Sequence, residues 1–173
     1  MRISGDWIQA PATQAVMAIL EDGGHQALFV GGCVRNALLG VPVKDIDIAT
    51  DAQPRIVLEL AGAAGLKAIP TGLDHGTVTV ISGGSPYEIT TFRTDERTDG
   101  RSAVIAYAGD LAEDVKRRDF TMNALYARRD GTVIDPLDGL PDLLARKVRF
   151  VGDPARRIRE DYLRILRFFR FHA

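Results

Sequence analysis

The sequence predicts an α+β fold, and three observations carry that prediction. Apolar residues recur at helical spacing over residues 11–21 and again after Pro54. β-branched residues alternate in Thr77-Val78-Thr79-Val80-Ile81 and in Tyr87-Glu88-Ile89-Thr90-Thr91-Phe92. A glycine pair, Gly31-Gly32, stands between a short apolar run and another helical stretch. At 173 residues and 46% hydrophobic content, the chain can bury a core of its own, which favours one domain with at most a short appendage.

Residues 11–21 form a helix with Val16, Ile19 and Leu20 on one face, stopped by Gly23-Gly24. Ala27-Leu28-Phe29-Val30 is a short strand, and Gly31-Gly32 turns it into a helix over residues 33–39 that Gly40 closes. Pro42 then leads into Lys44-Asp45-Ile46-Asp47-Ile48-Ala49-Thr50, where charged and β-branched residues alternate as in a strand. Pro54 suits the first turn of the next helix, which carries Ile56, Val57, Leu58 and Leu60 and ends near Gly65. The two alternating runs that follow are joined as a hairpin through Ser82-Gly83-Gly84-Ser85-Pro86.

Residues 93–102 contain no large apolar side chain and read as a mobile loop. A helix near residues 111–117, a short helix or turn over 119–124, and a β pair near 124–128 and 133–134 come next. Residues 153–172 read as one long helix whose pattern runs on without a stop signal, so the natural protein is expected to continue.

Composition narrows the function classes. No apolar run approaches the ~18 residues that cross a bilayer, and the N-terminus lacks a signal-peptide hydrophobic region, so a soluble cytoplasmic protein is expected. The lone Cys33 allows neither an internal disulfide nor a zinc site, and His25, His75 and His172 lack metal-ligand spacing. The formal net charge of -1 hides an asymmetry. Residues 1–114 hold 8 basic and 15 acidic side chains, whereas residues 115–173 hold 14 basic and 8 acidic. The C-terminal part would attract polyanions.

Asp45 and Asp47 carry the sharpest chemical signal. On a strand, carboxylates two residues apart share one face, with Cα atoms ~6.6 Å apart, and can converge on a hard cation. In Phe29-Val30-Gly31-Gly32-Cys33-Val34-Arg35, two residues without Cβ let the backbone approach a triphosphate, and Arg35 adds a fork of donors. Neither the P-loop nor the dinucleotide glycine pattern is present. Glu88, on a later strand, is a candidate third carboxylate for two-ion phosphoryl transfer.

Five ordered motifs then resemble the class II CCA-adding tRNA nucleotidyltransferases and bacterial poly(A) polymerases. They are Gly31-Gly32-Cys33-Val34-Arg35, Lys44-Asp45-Ile46-Asp47, the Tyr87 to Arg93 run, Arg117-Arg118-Asp119-Phe120-Thr121-Met122-Asn123-Ala124, and Arg159-Glu160-Asp161-Tyr162-Leu163-Arg164-Ile165-Leu166-Arg167. The resemblance implies the nucleotidyltransferase fold of DNA polymerase β, a mixed sheet with flanking helices. It places a head over residues 1–150 and the first helix of a truncated neck over 151–173.

It also implies that Gly31, Gly32 and Arg35 bind the triphosphate, that Asp45 and Asp47 hold catalytic Mg2+, and that Arg118, Asp119 and Asn123 contact the incoming nucleotide. Asp161 and Arg164 would read the base, with Arg167 and Arg170 at the same site. Base chemistry agrees with that assignment. A carboxylate accepts from C N4 or A N6 while an arginine one helical turn away donates to C N3 or A N1, and uracil and guanine would present a carbonyl oxygen to the carboxylate. Asp99-Gly100-Arg101 lies in the loop that the family links to the switch from C to A addition.

Asn36 departs from the family's usual Asp but can still orient Arg35 through its carbonyl oxygen. The expected reaction is addition of C, C and A to tRNA 3′ ends from CTP and ATP, with Mg2+ as cofactor. The tRNA acceptor arm would be held mostly by C-terminal regions outside this chain, and neither membrane nor DNA is an expected partner. A poly(A) polymerase of the same fold and a non-catalytic RNA- or nucleotide-binding module stand as alternatives.

Overall fold

A computed structural model of the chain describes residues 1–98 and 103–172. Helices α1 (Asp6–Gln9) and α2 (Pro11–Asp22) precede strand β1 (Ala27–Val30), helix α3 (Gly32–Leu38) and strand β2 (Asp47–Thr50). Helix α4 (Pro54–Ala63) leads to β3 (Lys67–Gly72), β4 (Thr77–Ser82) and β5 (Ser85–Thr91), then to β6 (Arg93–Thr98) and β7 (Ala103–Tyr107). Helix α5 (Leu111–Lys116), a 3-10 turn at Thr121–Asn123, β8 (Tyr126–Ala127) and β9 (Val133–Ile134) follow. Helices α6 (Gly139–Leu144), α7 (Pro154–Glu160) and α8 (Leu163–His172) complete the chain.

Seven strands form one mixed sheet in the order β3-β4-β5-β2-β1-β8-β9, with β2 and β5 parallel and the other neighbouring pairs antiparallel. Strand β1 lies inside the sheet and is buried along its whole length, so its side chains divide between two cores by simple alternation. Ala27 and Phe29 join the larger core with Val16, Met17 and Leu20 of α2, while Leu28 and Val30 join Ala49, Phe92, Val115 and Tyr126. The parallel β2/β5 register sets Asp47 beside Glu88, and antiparallel β1/β2 pairing sets Phe29 beside Ile48. The glycine turn after Val30 and the carboxylate that starts β2 thus meet at one edge of the sheet.

Three expectations are corrected. The strand expected over residues 44–50 enters the ladder only at Asp47, leaving Asp45 in the exposed lead-in. Its β1 partner has by then turned away at Gly31, and only the Ile46 carbonyl still accepts a bond, from the Glu88 N–H at 3.3 Å. The stretch read as a loop from residue 93 is instead strand β6, paired with β7 from Arg93↔Tyr107 to Thr98↔Ala103. A two-stranded ribbon is held by backbone bonds, so the polar side chains of β6 concealed it. Asp99-Gly100-Arg101 lies outside the described residues.

Finally, the long helix expected over 153–172 is two helices. Asp161 leaves helical geometry, at φ -153 and ψ 107, and its side-chain oxygen accepts the Leu163 N–H at 2.9 Å. A short polar side chain competing for backbone donors is the usual helix-initiating device, and here it interrupts the pattern from within.

Helix α8 is fastened to the head by rings. Phe120 meets Phe150 at 4.8 Å, Phe171 at 5.8 Å and Phe168 at 6.2 Å between centroids. Beneath Phe120, Gly139 opens α6 against the Thr121 turn, where an added Cβ would come within 2.3 Å of the Thr121 carbonyl oxygen. Gly139→Ala should therefore destabilise the chain by about 1–3 kcal/mol through overpacking, read as a lower denaturant midpoint with unchanged slope. An unchanged midpoint would show that the turn can move aside.

Candidate active site

Gly31 adopts φ +68, a left-handed backbone that favours glycine, and its N–H donates to the Leu125 carbonyl at 3.0 Å. The turn delivers Arg35 from the first turn of α3. Its guanidinium donates to Asn36 Oδ1 at 3.0 and 3.2 Å and to Asn123 Oδ1. Asn36 does orient Arg35 through its carbonyl oxygen. Burial lowers the Arg35 pKa, opposed by Asp119 and reinforced by Arg170 and Arg167.

Asp119 connects these groups. Its Oδ1 accepts the Phe120 N–H at 2.8 Å and Asn123 Nδ2 at 3.1 Å, and its Oδ2 accepts Arg167 Nε at 2.7 Å. Arg118 is held from behind by Asp114, a fully buried carboxylate that also binds Arg117 Nε at 2.7 Å and the Tyr126 hydroxyl at 2.8 Å. Burial alone would raise the Asp114 carboxyl, but Arg118 and Arg117 outweigh it and bring the pKa down to about 2.

A cleft of about 770 Å³ gathers eleven of the thirteen expected site residues: Gly31, Gly32, Arg35, Asp47, Arg118, Asp119, Asn123, Asp161, Arg164, Arg167 and Arg170. Asp45 is not among its walls. It shares with Asp47 an adjoining cavity of about 320 Å³ that Gly32, Arg35, Asn36 and Lys44 also line. Glu88 lines neither and stands exposed beside Asp47 across the parallel ladder. Burial pushes the Asp47 carboxyl up to about 6, with Glu88 and Asp45 adding to the rise and Arg118 opposing it. Among the described residues no group of three or more His, Cys, Asp or Glu side chains is arranged to hold a metal.

The two residues expected to read a base are both on the cleft wall. Asp161 Oδ1 is taken by Leu163, and its other oxygen has no hydrogen-bond partner among the described residues. Arg164 is buried, with Nη1 on the Arg157 carbonyl at 2.9 Å and Glu160 at 3.0 Å and Nη2 on the Arg117 carbonyl at 3.4 Å. A guanidinium has five N–H donors, so these contacts leave some for a ligand.

Sequence reasoning missed five contributors to this wall. Arg93, Arg117, Leu163 and Phe171 line it. Arg157 braces it by donating to the Arg118 carbonyl at 2.8 Å and to Glu160. Asp114 stands three and four residues from Arg117 and Arg118, and Glu160 three and four from Arg157 and Arg164, a spacing at which side chains meet within a helix or, as for three of these pairs, across its C-terminal end. That spacing was the available signal.

The mixed sheet and this cleft define a nucleotidyltransferase head. The family described as the poly A polymerase head domain matches residues 27–149, and the chain belongs to that family. A CCA-adding enzyme of Lactobacillus delbrueckii subsp. bulgaricus is 50% identical over 163 residues, covering 92% of this chain and 40% of the relative. A CCA-adding enzyme of Lacticaseibacillus paracasei is 45% identical over 160 residues, or 91% of this chain and 39% of its own length. The chain thus spans about two fifths of the curated relatives it matches.

Among solved structures, the Bacillus stearothermophilus CCA-adding enzyme in complex with CTP aligns with a TM-score of 0.84 at 42% identity, covering 92% of this chain and 38% of that one. A tRNA nucleotidyltransferase complexed with a primer tRNA and an incoming ATP analog aligns at 0.70 and 32%, covering 90% and 44%. No helix among the described residues is long and apolar enough to cross a membrane.

Because the folded Asp114 pKa lies below the unfolded value, its contribution to stability is present above about pH 4 and lost as pH falls toward 2. Asp114→Asn should cost roughly 3–5 kcal/mol near neutral pH by leaving two arginines without their buried counter-charge, with the deficit shrinking in acid. Chemical denaturation of both proteins across that range measures it, and a deficit constant with pH would contradict the assignment.

Proposed function

We propose that this chain is the catalytic head, with the start of the neck over residues 151–173, of a magnesium-dependent CCA-adding tRNA nucleotidyltransferase. It would transfer CMP and then AMP from CTP and ATP to a tRNA 3′ end, releasing pyrophosphate. The observation that carries this reading is the composition of the cleft, whose lining sets seven arginines against three aspartates, one of them Asp47. An excess of guanidinium around a glycine turn suits a triphosphate. A half-buried carboxylate crowded by Asp45 and Glu88 suits a hard cation.

In this reading Gly31 and Gly32 admit the triphosphate and Arg35 grips it, held rigid by Asn36 and Asn123. Arg118, Asp119 and Asn123 receive the ribose and phosphates. The unpartnered oxygen of Asp161 accepts the exocyclic amine of cytosine or adenine, and Arg164 donates to the adjacent ring nitrogen. Uracil or guanine would face that oxygen with a second acceptor, costing ~1–3 kcal/mol per mismatched pairing. Asp45 and Asp47 would hold Mg2+, with Glu88 nearby, and the ion would supply charge neutralisation and a more acidic primer hydroxyl. Contacts to the tRNA acceptor arm would fall mostly to regions that the longer relatives carry, so this chain should bind nucleotides better than tRNA.

The test joins this chain to the C-terminal portion of such a relative and follows incorporation into a tRNA lacking its 3′ end. C, C and A should be added in order, and Asp47→Asn should lower the rate at least about a hundredfold, more than loss of an outer-shell group costs a metal site. A tract of adenylates would instead identify a poly(A) polymerase, and full activity in Asp47→Asn would remove the catalytic assignment.

A further inference from the structure

Phe171 has the sequence signature of a packing residue, and one edge of its ring does pack, against Phe120 at an interplanar angle of 81°. The ring also lines the cleft. Three guanidiniums gather around it, with Arg35 4.9 Å, Arg170 5.0 Å and Arg167 5.8 Å from its centroid. Three like charges so close together repel one another.

Their other partners do not fully offset that repulsion. Arg167 has the Asp119 carboxylate at 2.6 Å. Arg35 rests on the neutral carbonyl oxygens of Asn36 and Asn123. The Arg170 guanidinium makes no hydrogen bond or ion pair with any described residue. The attraction common to all three is the negative face and polarisable body of the ring. Two cations without a carboxylate, held at a cleft wall beside the glycine turn, form a receptor for an anion with several charges.

We propose that Phe171 is a positioning residue that gathers Arg35, Arg167 and Arg170 into a receptor for the polyphosphate of the incoming nucleotide. The proposal rests on the nucleotide-site reading above and adds to it the group that organises the phosphate grip. Leucine or methionine at this position would keep an apolar contact with Phe120 but remove the π face. Phe168 is the natural control. It packs on Phe120 at 6.2 Å and on Phe150 at 5.9 Å, and among the described residues no guanidinium lies over its ring.

Titration calorimetry of the chain in magnesium, with inorganic tripolyphosphate, CTP and CMP as ligands, tests this. Phe171→Leu and Phe171→Met should weaken tripolyphosphate and CTP binding about tenfold, while CMP changes less than about threefold. Phe171→Tyr, which keeps the ring, should restore the wild-type constants. Phe168→Leu should lower the melting temperature yet leave tripolyphosphate binding unchanged. The proposal is overturned if Phe171→Leu and Phe171→Met bind as wild type does, if Phe168→Leu loses as much, or if CMP suffers as much as CTP. A wild-type chain that bound neither tripolyphosphate nor CTP would overturn the nucleotide-site reading itself, and this inference with it.

Discussion

The carboxylate of Asp119 is the constraint on which the rest of the site depends. It is buried, and it divides its oxygens between two parts of the chain. One is bound to the Phe120 N–H and Asn123, the other to Arg167 of α8. Asn123 passes the connection to Arg35 on α3. One charged group therefore fixes the distance between the glycine turn and the helix that carries the arginines. Hydrogen bonds to a charged acceptor are the strong ones, and a buried acceptor with several donors has little freedom to exchange them.

The same logic repeats around the cleft wall. Arginines crowded along one wall would repel one another if left alone, and four of them are steadied by a carboxylate. Asp114 steadies Arg117 and Arg118, and Glu160 steadies Arg157 and Arg164. Because these carboxylates sit behind the guanidiniums, the donors keep fixed directions while the cleft retains its positive excess. Pre-organisation of this kind spares a ligand the cost of ordering long, flexible side chains.

Much of this was legible in the sequence, for identifiable reasons. The glycine turn, Arg35 and the strand that Asp47 opens were visible because each obeys a local rule of backbone freedom or strand alternation. What escaped was non-local or competitive. Strand β6 has a polar sequence, and its partner across the ribbon makes it a strand. Asp161 breaks a periodic helix by capping the next one, which apolar spacing does not register. Asp45 falls outside the ladder because its neighbour strand turns at Gly31, a tertiary fact. Phe171 follows the helical apolar pattern faithfully, yet its ring also faces the guanidiniums.

The central claim is that a single cleft grips a triphosphate at one end and distinguishes its base at the other. Calorimetry of the unmodified chain with CTP, ATP, GTP and UTP in magnesium tests both halves together. CTP and ATP should bind measurably tighter than GTP and UTP, by about tenfold if one base pairing is lost. Equal affinity for all four would show a phosphate grip without base reading and would contradict the roles given to Asp161 and Arg164.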